Sequence, residues 1–260
     1  MLAEGVSFVP GVATTARRGR VFAIVDQSLH VLRGDDGPAI PVAEVDDTAL
    51  YLGELAGEPC FAITGPGPGD PVPLRELFGA LSDHEFGIAG RALGLTAWDR
   101  DFAFCGRCGA PTERSTTERM RVCTRCRFSS YPRLSPAVIM LVERDGKALL
   151  ARNARFTRPF YSTLAGFVEV GESLEHAVAR EVHEEAGLVV EDIRYFGSQP
   201  WPFTGSLMIG FTAQSPSGDI VADPVELADA GWFAPDELPI VPPKLSIARE
   251  LIDDFVRRHG

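Results

Sequence analysis

The chain has 260 residues, of which 45% are apolar and 23% are charged, proportions typical of a globular protein with one or two domains. Its formal net charge of −11 argues against long nucleic acid as the default partner, because the summed field repels polyanions. No apolar run approaches the roughly 20 residues that cross a bilayer, and the start of the chain lacks the apolar stretch of a signal peptide. The sequence therefore predicts a cytoplasmic protein with no membrane partner.

The N-terminal third of the chain has the pattern of a β-rich domain. Residues 1–63 alternate short apolar runs with turn signals, and "VFAIVDQSLHVLRGDDG" and "TALYLGELAGEPCFAITG" predict β-hairpins. The Pro/Gly stretch 64–73 predicts a linker without regular structure, and residues 74–98 have the periodicity of a helical connector. We therefore expect a β-rich domain with a helical connector over residues 1–98, in which Cys60 is a small core residue.

Two CxxC pairs follow the connector. Cys105 and Cys108 are separated from Cys123 and Cys126 in the spacing Cys-x2-Cys-x14-Cys-x2-Cys, which suits tetrahedral zinc and a reducing compartment. Four thiolates leave no open position for water, so the sequence predicts a structural Zn²⁺ in a ribbon over residues 99–131. The arginines of "MRVCTRCRF" leave nucleic-acid binding by this ribbon open, although the acidic net charge makes a scaffold the preferred interpretation.

The remaining chain, residues 132–260, alternates strands with helices. "AVIMLVER" and "KALLAR" predict a strand pair that turns at Asp145 and Gly146, a strong hairpin dipeptide. A helix is expected after Gly171, strands near "VVEDIRYFGSQ" and "SLMIGFTAQ", and a C-terminal helix in "KLSIARELIDDFVRRH".

The helix expected after residue 171 carries Glu181, Glu184 and Glu185 at i, i+3 and i+4, where like charges repel. Ser173 is a suitable N-cap and Gly187 a suitable left-handed C-terminal residue. Glu181 and Glu185 continue the apolar stripe that faces the core. Partly buried carboxylates at close quarters must gain protons or cations, so the pattern favours hard divalent cations between them and a phosphate substrate. A solvated face with salt bridges is the alternative for the triplet taken alone.

The surrounding stretch has a more specific pattern. "GFVEVGESLEHAVAREVHEEAGL", residues 166–188, resembles the Nudix hydrolases at every fixed position: G, five residues, E, seven residues, R-E, an aliphatic residue, one residue, E-E, one residue, G and an aliphatic residue. The resemblance implies an α/β fold, a Nudix α/β/α sandwich with a four-cysteine zinc ribbon and a smaller β-rich N-terminal domain. It also implies hydrolysis of a nucleoside diphosphate linked to another group, with Mg²⁺ or Mn²⁺ bridging the glutamates and the diphosphate.

The same resemblance implies roles for individual residues. It implies a set of Mg²⁺ or Mn²⁺ ligands that consists of Glu181, Glu184, Glu185, Glu226 and the backbone carbonyl of Ala165. Glu181, Glu184 and Glu185 are expected to be catalytic, with one of them or a nearby carboxylate as the general base. An ion pair between Glu172 and Arg180 is expected to hold the loop to the helix.

A second stretch narrows the resemblance to one branch. A zinc ribbon directly before a Nudix domain, together with "SQPWPFTGS" after the Nudix pattern, resembles the NADH diphosphatase (NudC-type) branch. Thr204 and Gly205 replace the usual Pro-Gln of that branch, which predicts a more flexible loop. The resemblance implies a set of substrate-binding residues: Glu118, Tyr131, Phe167, Gln199, Pro200, Trp201, Pro202, Phe203, Ser206 and Ala248. For residues 198–208 taken alone, a proline-rich turn whose aromatic side chains seal the core is the alternative.

The resemblance therefore implies a hydrolase, dependent on Zn²⁺ and on Mg²⁺ or Mn²⁺, that cuts NADH and NAD into NMNH or NMN plus AMP. NADH is expected to be favoured. Members of the branch also remove NAD caps from RNA and form homodimers with sites completed across the interface, so a homodimer is expected. ADP-ribose or another nucleoside diphosphate derivative is the competing substrate, and a non-catalytic Nudix-fold sensor is the competing class. The glutamates argue against the sensor, because a pure binder does not need these repelling charges.

Overall fold

The computed structural model describes residues 8–154 and 160–260. The chain divides into two compact units, of which the first comprises Met1–Arg133 and Pro202–Gly205 and the second comprises Leu134–Trp201 and Ser206–Gly260. Within the described ranges, no helix has both the length and the apolar character needed to cross a membrane.

A mixed β-sheet forms the larger part of the first unit. Its described strands are β1 (Phe8–Pro10), β2 (Arg18–Val25), β3 (Ser28–Gly34), β4 (Gly37–Ala39), β5 (Val42–Glu44), β6 (Leu50–Leu55), β7 (Glu58–Thr64) and β8 (Asp70–Pro73). They are ordered β1-β6-β7-β2-β3-β4, with β5 beside β2 and β8 beside β3. The two predicted hairpins are observed as the antiparallel pairs β2–β3 and β6–β7. Cys60 is fully buried in β7, as expected for a core residue.

The Pro/Gly stretch 64–73 is irregular over only part of its length. We expected a linker without regular structure, but β8 pairs antiparallel with β3, from Ser28 opposite Pro73 to Val31 opposite Asp70. A strand with prolines is compatible with a sheet edge, because a proline has no N–H to donate to a neighbour on that side. The expectation was wrong for this segment because its partner strand lies far earlier in the chain, outside the reach of a local pattern.

The helical connector is shorter than the sequence predicts. Leu74–Leu77 forms a 3-10 turn, and α1 (Asp83–Asp101) begins several residues later. Gly79 interrupts the connector with a φ of +75°, a conformation that glycine adopts readily. A capping box then starts α1, because Ser82 Oγ accepts from the Glu85 N–H at 3.3 Å and the Glu85 carboxylate accepts from the Ser82 N–H at 3.3 Å.

A small antiparallel sheet of the described first unit follows α1. Its strands are β9 (Thr112–Arg114), β10 (Arg121–Cys123) and β11 (Ser129–Ser130), in the order β11-β10-β9. Arg114 Nη2 lies 2.7 Å from Asp99 Oδ2 of α1, and Arg121 pairs with Asp99 Oδ1. Burial alone would raise the pKa of Asp99, but the hydrogen bonds and charges of Arg114 and Arg121 outweigh burial and lower it. These ion pairs tie the small sheet to α1.

The second unit contains a larger mixed sheet. Its described strands are β12 (Ser135–Arg144), β13 (Lys147–Asn153), β14 (Leu164–Phe167), β15 (Glu191–Trp201), β16 (Ser206–Gln214) and β17 (Leu227–Phe233). The order is β15-β16-β12-β13-β17, with β14 beside β12. Asp145 and Gly146 join β12 to β13 with φ values of +50° and +73°, which are the signs a type I′ hairpin turn requires. The predicted hairpin is therefore confirmed.

Helices cover both faces of this sheet, α2 (Leu174–Ala186) on one and α3 (Ile247–His259) on the other. Neighbouring residues of β12 serve opposite faces, because side chains alternate along a strand. Met140 packs in one apolar cluster with Val178 of α2, whereas Leu141 packs in another with Phe255 of α3. The predicted α/β/α sandwich is confirmed.

The end of α3 is tied to β12 by a buried ion cluster. The Glu143 side chain is 5% exposed, and it accepts from Arg258 Nη1 at 3.2 Å and from Arg258 Nη2. His259 Nε2 lies 2.9 Å from Glu143 Oε2, and Asp254 Oδ2 accepts from Arg258 Nε at 2.8 Å. A buried carboxylate is tolerated when cations and donors surround it, so this cluster holds the C-terminal helix in place.

Candidate active site

Helix α2 begins and ends where its sequence predicts. The Ser173 hydroxyl accepts from the His176 N–H at 3.2 Å, which satisfies one of the free donors of the first turn. Gly187 ends the helix in the left-handed conformation with a φ of +71°, and its N–H donates to His183 O at 2.9 Å. The caps fix the position of the helix along the chain and therefore the direction in which its glutamates point.

Two of the three glutamates in the second half of α2 are buried. Glu181 and Glu185 are 9% and 6% exposed, as the apolar stripe predicts, while the Glu184 side chain is 58% exposed at the edge of that stripe. Burial raises the pKa of Glu185 to about 8, and the charges of Glu181 and Glu226 act in the same direction. Burial also raises the pKa of Glu181, although Arg180 opposes this effect. The protein thus holds carboxylates in surroundings that disfavour their charge.

Arg180 organises the loop and the helix around these carboxylates. Its Nε donates to Glu172 Oε1 at 2.8 Å, and its Nη2 donates to the Phe167 carbonyl at 2.9 Å. Its Nη1 lies 2.8 Å from both Glu181 Oε1 and Glu184 Oε2. The hydrogen bond from Arg180 lowers the pKa of Glu172 to about 2. The expected ion pair of Glu172 with Arg180 is therefore present, and the same guanidinium also orients two glutamates of α2.

Strand β14 runs directly against the buried carboxylates. The backbone N–H of Ala165 lowers the pKa of Glu185 and so opposes the effect of burial, and no salt bridge joins Glu185 to a cationic side chain in the described ranges. A Cβ on Gly166 would lie 1.9 Å from Glu181 Cδ, so only glycine allows the strand to approach the helix this closely. Buried carboxylate oxygens that lack sufficient cations are the donors that hard divalent cations prefer. The residues present therefore fit a divalent metal ion.

Glu226 precedes β17 and belongs to the same electrostatic neighbourhood, because its charge raises the pKa of both Glu181 and Glu185. Backbone contacts hold this segment. The Ala154 N–H donates to Glu226 O at 2.8 Å, and the Asp223 N–H donates to Glu185 O at 3.0 Å. In the sequence, strands β15 and β16 separate Glu226 from α2. The fold nevertheless brings Glu226 close to the carboxylates of that helix.

A cavity of about 190 Å³ opens beside Glu185 and Ala165, with Ser162, Thr163 and Leu227 among its lining residues. Thr163 is 7% exposed, and its hydroxyl has no hydrogen-bond partner among the residues that the structure describes. Buried hydroxyls nearly always have a partner, so Thr163 is a candidate ligand contact. The sequence reasoning missed Thr163, because a single threonine before a strand has no recognisable pattern.

The segment before α3 is held by Gln199 of β15. Gln199 Nε2 donates to Leu245 O at 2.8 Å, and the Ile247 N–H donates to Gln199 Oε1 at 2.8 Å. Both polar atoms of this amide thus position the backbone at the start of α3, where Ala248 is buried in the apolar cluster between α3 and the sheet. Phe167 differs from these residues, because its side chain is 58% exposed at the end of β14. Its ring is therefore available for stacking.

The end of β15 and the start of β16 contain more of the implied substrate residues. Pro200 and Trp201 pair with Leu207 and Ser206, and Ser206 is 3% exposed. Trp201 is partly exposed, so part of its ring is accessible. The pairing gives these residues a rigid backbone.

The remaining implied substrate residues belong to the first unit, and they differ in accessibility. The Tyr131 side chain is half exposed, and its hydroxyl donates to Glu118 Oε2 at 2.7 Å. Phe203, which follows Pro202 in the turn, is 8% exposed, and the Arg75 guanidinium carbon lies 4.0 Å from its ring centroid. This packing favours a core-sealing role for Phe203, while Tyr131 keeps a free ring face. The sequence reasoning did not identify Arg75.

The four cysteines of the CxxC pairs form one cluster in the first unit. Their sulfur atoms all lie within 4.8 Å of one another, with Cys105 Sγ 3.7 Å from Cys126 Sγ and Cys108 Sγ 3.5 Å from Cys123 Sγ. The backbone N–H of Ala110 lowers the pKa of Cys108 to about 6, which favours the thiolate that a metal binds. Four sulfur donors at these distances fit a tetrahedral structural metal ion, as the spacing predicts.

Models of known families match three successive parts of the chain. A NUDIX domain matches residues 132–255, an NADH pyrophosphatase zinc ribbon domain matches residues 100–131, and an NADH pyrophosphatase-like rudimentary NUDIX domain matches residues 10–98. The last match adds to the sequence interpretation, which described residues 1–98 only as a β-rich domain.

Curated relatives align with most of the chain. An NAD-capped RNA hydrolase NudC from Citrobacter koseri is 42% identical over 236 residues, covering 89% of this chain and 90% of the relative. One of the same name from Salmonella typhi is 44% identical over 215 residues, covering 82% of each chain. Among solved structures, a NUDIX hydrolase from Nitrosomonas europaea is similar with a TM-score of 0.52 and 26% identity, covering 60% of this chain and 92% of that one.

Proposed function

The chain belongs to the Nudix hydrolases of the NADH pyrophosphatase type, and from this premise we propose that it hydrolyses the diphosphate of NADH and NAD. The products are NMNH or NMN plus AMP. NAD-capped RNA presents the same bond on a larger leaving group, and the names of the relatives at 42% and 44% identity support it as a further substrate. The observation that carries the proposal is the pair of buried carboxylates, Glu181 and Glu185, set against the backbone of β14.

The proposed ligands of Mg²⁺ or Mn²⁺ are Glu181, Glu184, Glu185, Glu226 and the backbone carbonyl of Ala165. When bound, such an ion neutralises the diphosphate, polarises its phosphoryl oxygens and lowers the pKa of an attacking water. Arg180 Nη1 orients Glu181 and Glu184 for this task, and the backbone N–H of Ala165 favours the ionised form of Glu185. Glu181, Glu184 and Glu185 are proposed to be catalytic. The general base is one of them or a nearby carboxylate, because an ionised carboxylate can accept a proton from the attacking water.

Substrate binding is proposed for the residues that the resemblance implies, with tasks that follow from their contacts. Phe167 and Tyr131 expose aromatic rings suited to stacking on a flat base or a nicotinamide ring. Gln199 positions the segment before Ala248 rather than offering an unused amide. Thr163 adds a hydroxyl beside Glu185 that has no hydrogen-bond partner among the described residues. The other proposed contacts are Glu118, Pro200, Trp201, Pro202, Phe203 and Ser206.

The rest of the proposal concerns the architecture and the setting of the enzyme. We propose a structural Zn²⁺ on Cys105, Cys108, Cys123 and Cys126, a homodimer, and a cytoplasmic location. The proposed domains are residues 1–98, 99–131 and 132–260, and the support for them is that the three family matches change at nearly the same positions.

An assay of NADH, NAD, ADP-ribose and NAD-capped RNA, each with Mg²⁺ or Mn²⁺, tests the substrate. Chromatography measures AMP and nicotinamide mononucleotide. We expect clear preference for substrates that contain the nicotinamide dinucleotide. Turnover of ADP-ribose alone would assign the site to a different nucleoside diphosphate derivative, and no turnover of any substrate would favour the non-catalytic sensor.

Glu184→Gln tests whether the carboxylates of α2 perform the reaction. The exposed position of Glu184 allows the change with little effect on folding, while kcat should fall by orders of magnitude. Glu175→Gln is the matched control, because Glu175 is an exposed glutamate in the first turn of the same helix. Equal activity of the two variants would contradict the assignment.

A further inference from the structure

A second cavity, of about 70 Å³, lies within the first unit. Its lining includes Tyr51, Trp98, Arg114, Glu118 and Arg119. Neither the glutamates of α2 nor the cysteine cluster lines this cavity, so the proposed reaction leaves most of its polar groups without a task.

Buried N–H donors without acceptors are concentrated around this cavity. Trp98 is 5% exposed, and its indole N–H has no hydrogen-bond partner among residues 8–154 and 160–260. The Nε–H groups of Arg119 and of nearby Arg91 are also buried and also lack partners in those ranges. Native proteins satisfy nearly all buried donors, so three such groups together indicate an acceptor that residues 8–154 and 160–260 do not supply.

The positive charge around the cavity is also incompletely neutralised. Arg114 pairs with Asp99, but no carboxylate in the described part of the chain pairs with Arg119 or Arg91. Within the described part of the chain, Arg119 Nη2 donates to the carbonyl of Gly11 and to no carboxylate. Burial lowers the pKa of Arg119 to about 10, and the charges of Arg91 and Arg114 act in the same direction. These guanidinium groups are therefore held together at a cost that an anion would relieve.

The opposing charge in the lining is already engaged. Glu118 also faces this region, and its Oε2 accepts the hydrogen bond of the Tyr131 hydroxyl. The charge of the Glu118 carboxylate repels an anion and so limits its affinity. No salt bridge between Glu118 and Arg119 is present in the described part of the chain. Guanidinium and indole groups are donors only, so the matching ligand is one that offers acceptor oxygens on several sides.

We propose that this cavity binds a small oxyanion of the phosphate class through Arg119 and Trp98. A volume of about 70 Å³ is comparable to that of about two waters, each about 30 Å³, and so admits a phosphate group but not a nucleoside. The ligand is either free phosphate or a single phosphate group of an RNA backbone. In both cases the lining of the site contains none of the proposed hydrolytic carboxylates, and it binds phosphate without a metal ion.

Calorimetric titration of the zinc-loaded full chain with inorganic phosphate, in buffer without other divalent cations, tests the proposal. Trp98 fluorescence provides a second readout of the same titration. We expect saturable binding to the unmodified protein and a Kd at least tenfold higher for Arg119→Gln. Arg33→Gln is the matched control for charge, because Arg33 is an exposed arginine of the same unit. Its Kd should be unchanged.

Glu184→Gln should also leave phosphate binding unchanged, which separates this site from the α2 carboxylates. Trp98→Phe keeps the arginines and removes one donor, so a raised Kd for it supports the site even where Arg119→Gln does not fold. Competition by a short single-stranded RNA without a cap assigns the site to an RNA phosphate, and its absence assigns the site to free phosphate. No saturable binding at millimolar phosphate, or the same Kd for Arg119→Gln, would overturn the proposal.

Discussion

Gly166→Ala should abolish most catalysis while leaving the fold intact. The added Cβ would lie 1.9 Å from Glu181 Cδ, whereas ordinary contacts begin at 3.4 Å, so the carboxylate must move by about 1.5 Å. Glu181 can move only by leaving Arg180 Nη1, which is now 2.8 Å from its Oε1. Misplacing a reacting group by about 1 Å costs about 10²-fold in rate, so we expect kcat with NADH to fall by about 10²-fold or more. Because a side-chain end can swing aside, Tm should fall by about 5 °C or less.

Gly197→Ala is the matched control for this substitution. Gly197 belongs to β15, and a Cβ built there meets no atom within 4 Å. Its kcat should therefore remain within about twofold of the unmodified enzyme, because nothing in the site has to move. Steady-state kinetics and thermal denaturation of both variants provide the test. Unchanged kcat in Gly166→Ala would refute the argument that the close approach of β14 positions Glu181.

Three further predictions concern stability and metal binding. Arg258→Met leaves buried Glu143 with His259 alone, so the free energy of unfolding should fall by about 2 kcal/mol, and thermal denaturation should show Tm lower by about 4–8 °C. Chelation of the ribbon metal, or Cys123→Ser, should release zinc and unfold the ribbon, and an unchanged near-UV spectrum after complete release would contradict a structural role. The pKa of Asp99 is lowered on folding, so its stabilising effect is present above the ordinary value of 3.8 and is lost as pH falls through the folded value. Asp99→Asn should flatten a plot of unfolding free energy against pH below about 4, and an unchanged plot would argue against the ion pairs.

Features that depend on neighbouring residues were predicted correctly from the sequence. Ser173 and Gly187 cap α2 because each acts on a donor or acceptor within one turn of the helix. Asp145 and Gly146 form the hairpin turn because their own backbone preferences select it. The burial of Glu185 follows from its place on the apolar stripe. In each case the interaction that determines the local structure joins residues that are close together in the sequence.

Features that depend on distant contacts could not be predicted in this way. Strand β8 forms because the edge of β3 is available, which no pattern within residues 64–73 reveals. Thr163 gains a candidate role only because folding places Glu185 beside it in one cavity. Gln199 looks like a ligand contact in the sequence, and the structure shows that its amide is already engaged by Leu245 O and by the Ile247 N–H at the start of α3. A residue can be assigned to ligand binding only when it is known whether its polar atoms already have hydrogen-bond partners within the fold.

The charges on α2 explain why this helix combines a structural and a chemical task. Arg180 gives Glu172, Glu181 and Glu184 a shared cation, and it also binds the Phe167 carbonyl, so one residue holds both the loop and β14. Glu185, on the side of the cavity, has no salt bridge to a cationic side chain among residues 8–154 and 160–260, and of its neighbours the backbone of Ala165 favours its charge. A helix selected for stability alone would place an apolar residue at this buried position, because an unpaired buried carboxylate is destabilising. The stabilising contacts are thus concentrated on the loop side, and the uncompensated charge is left where a cation and a diphosphate would bind.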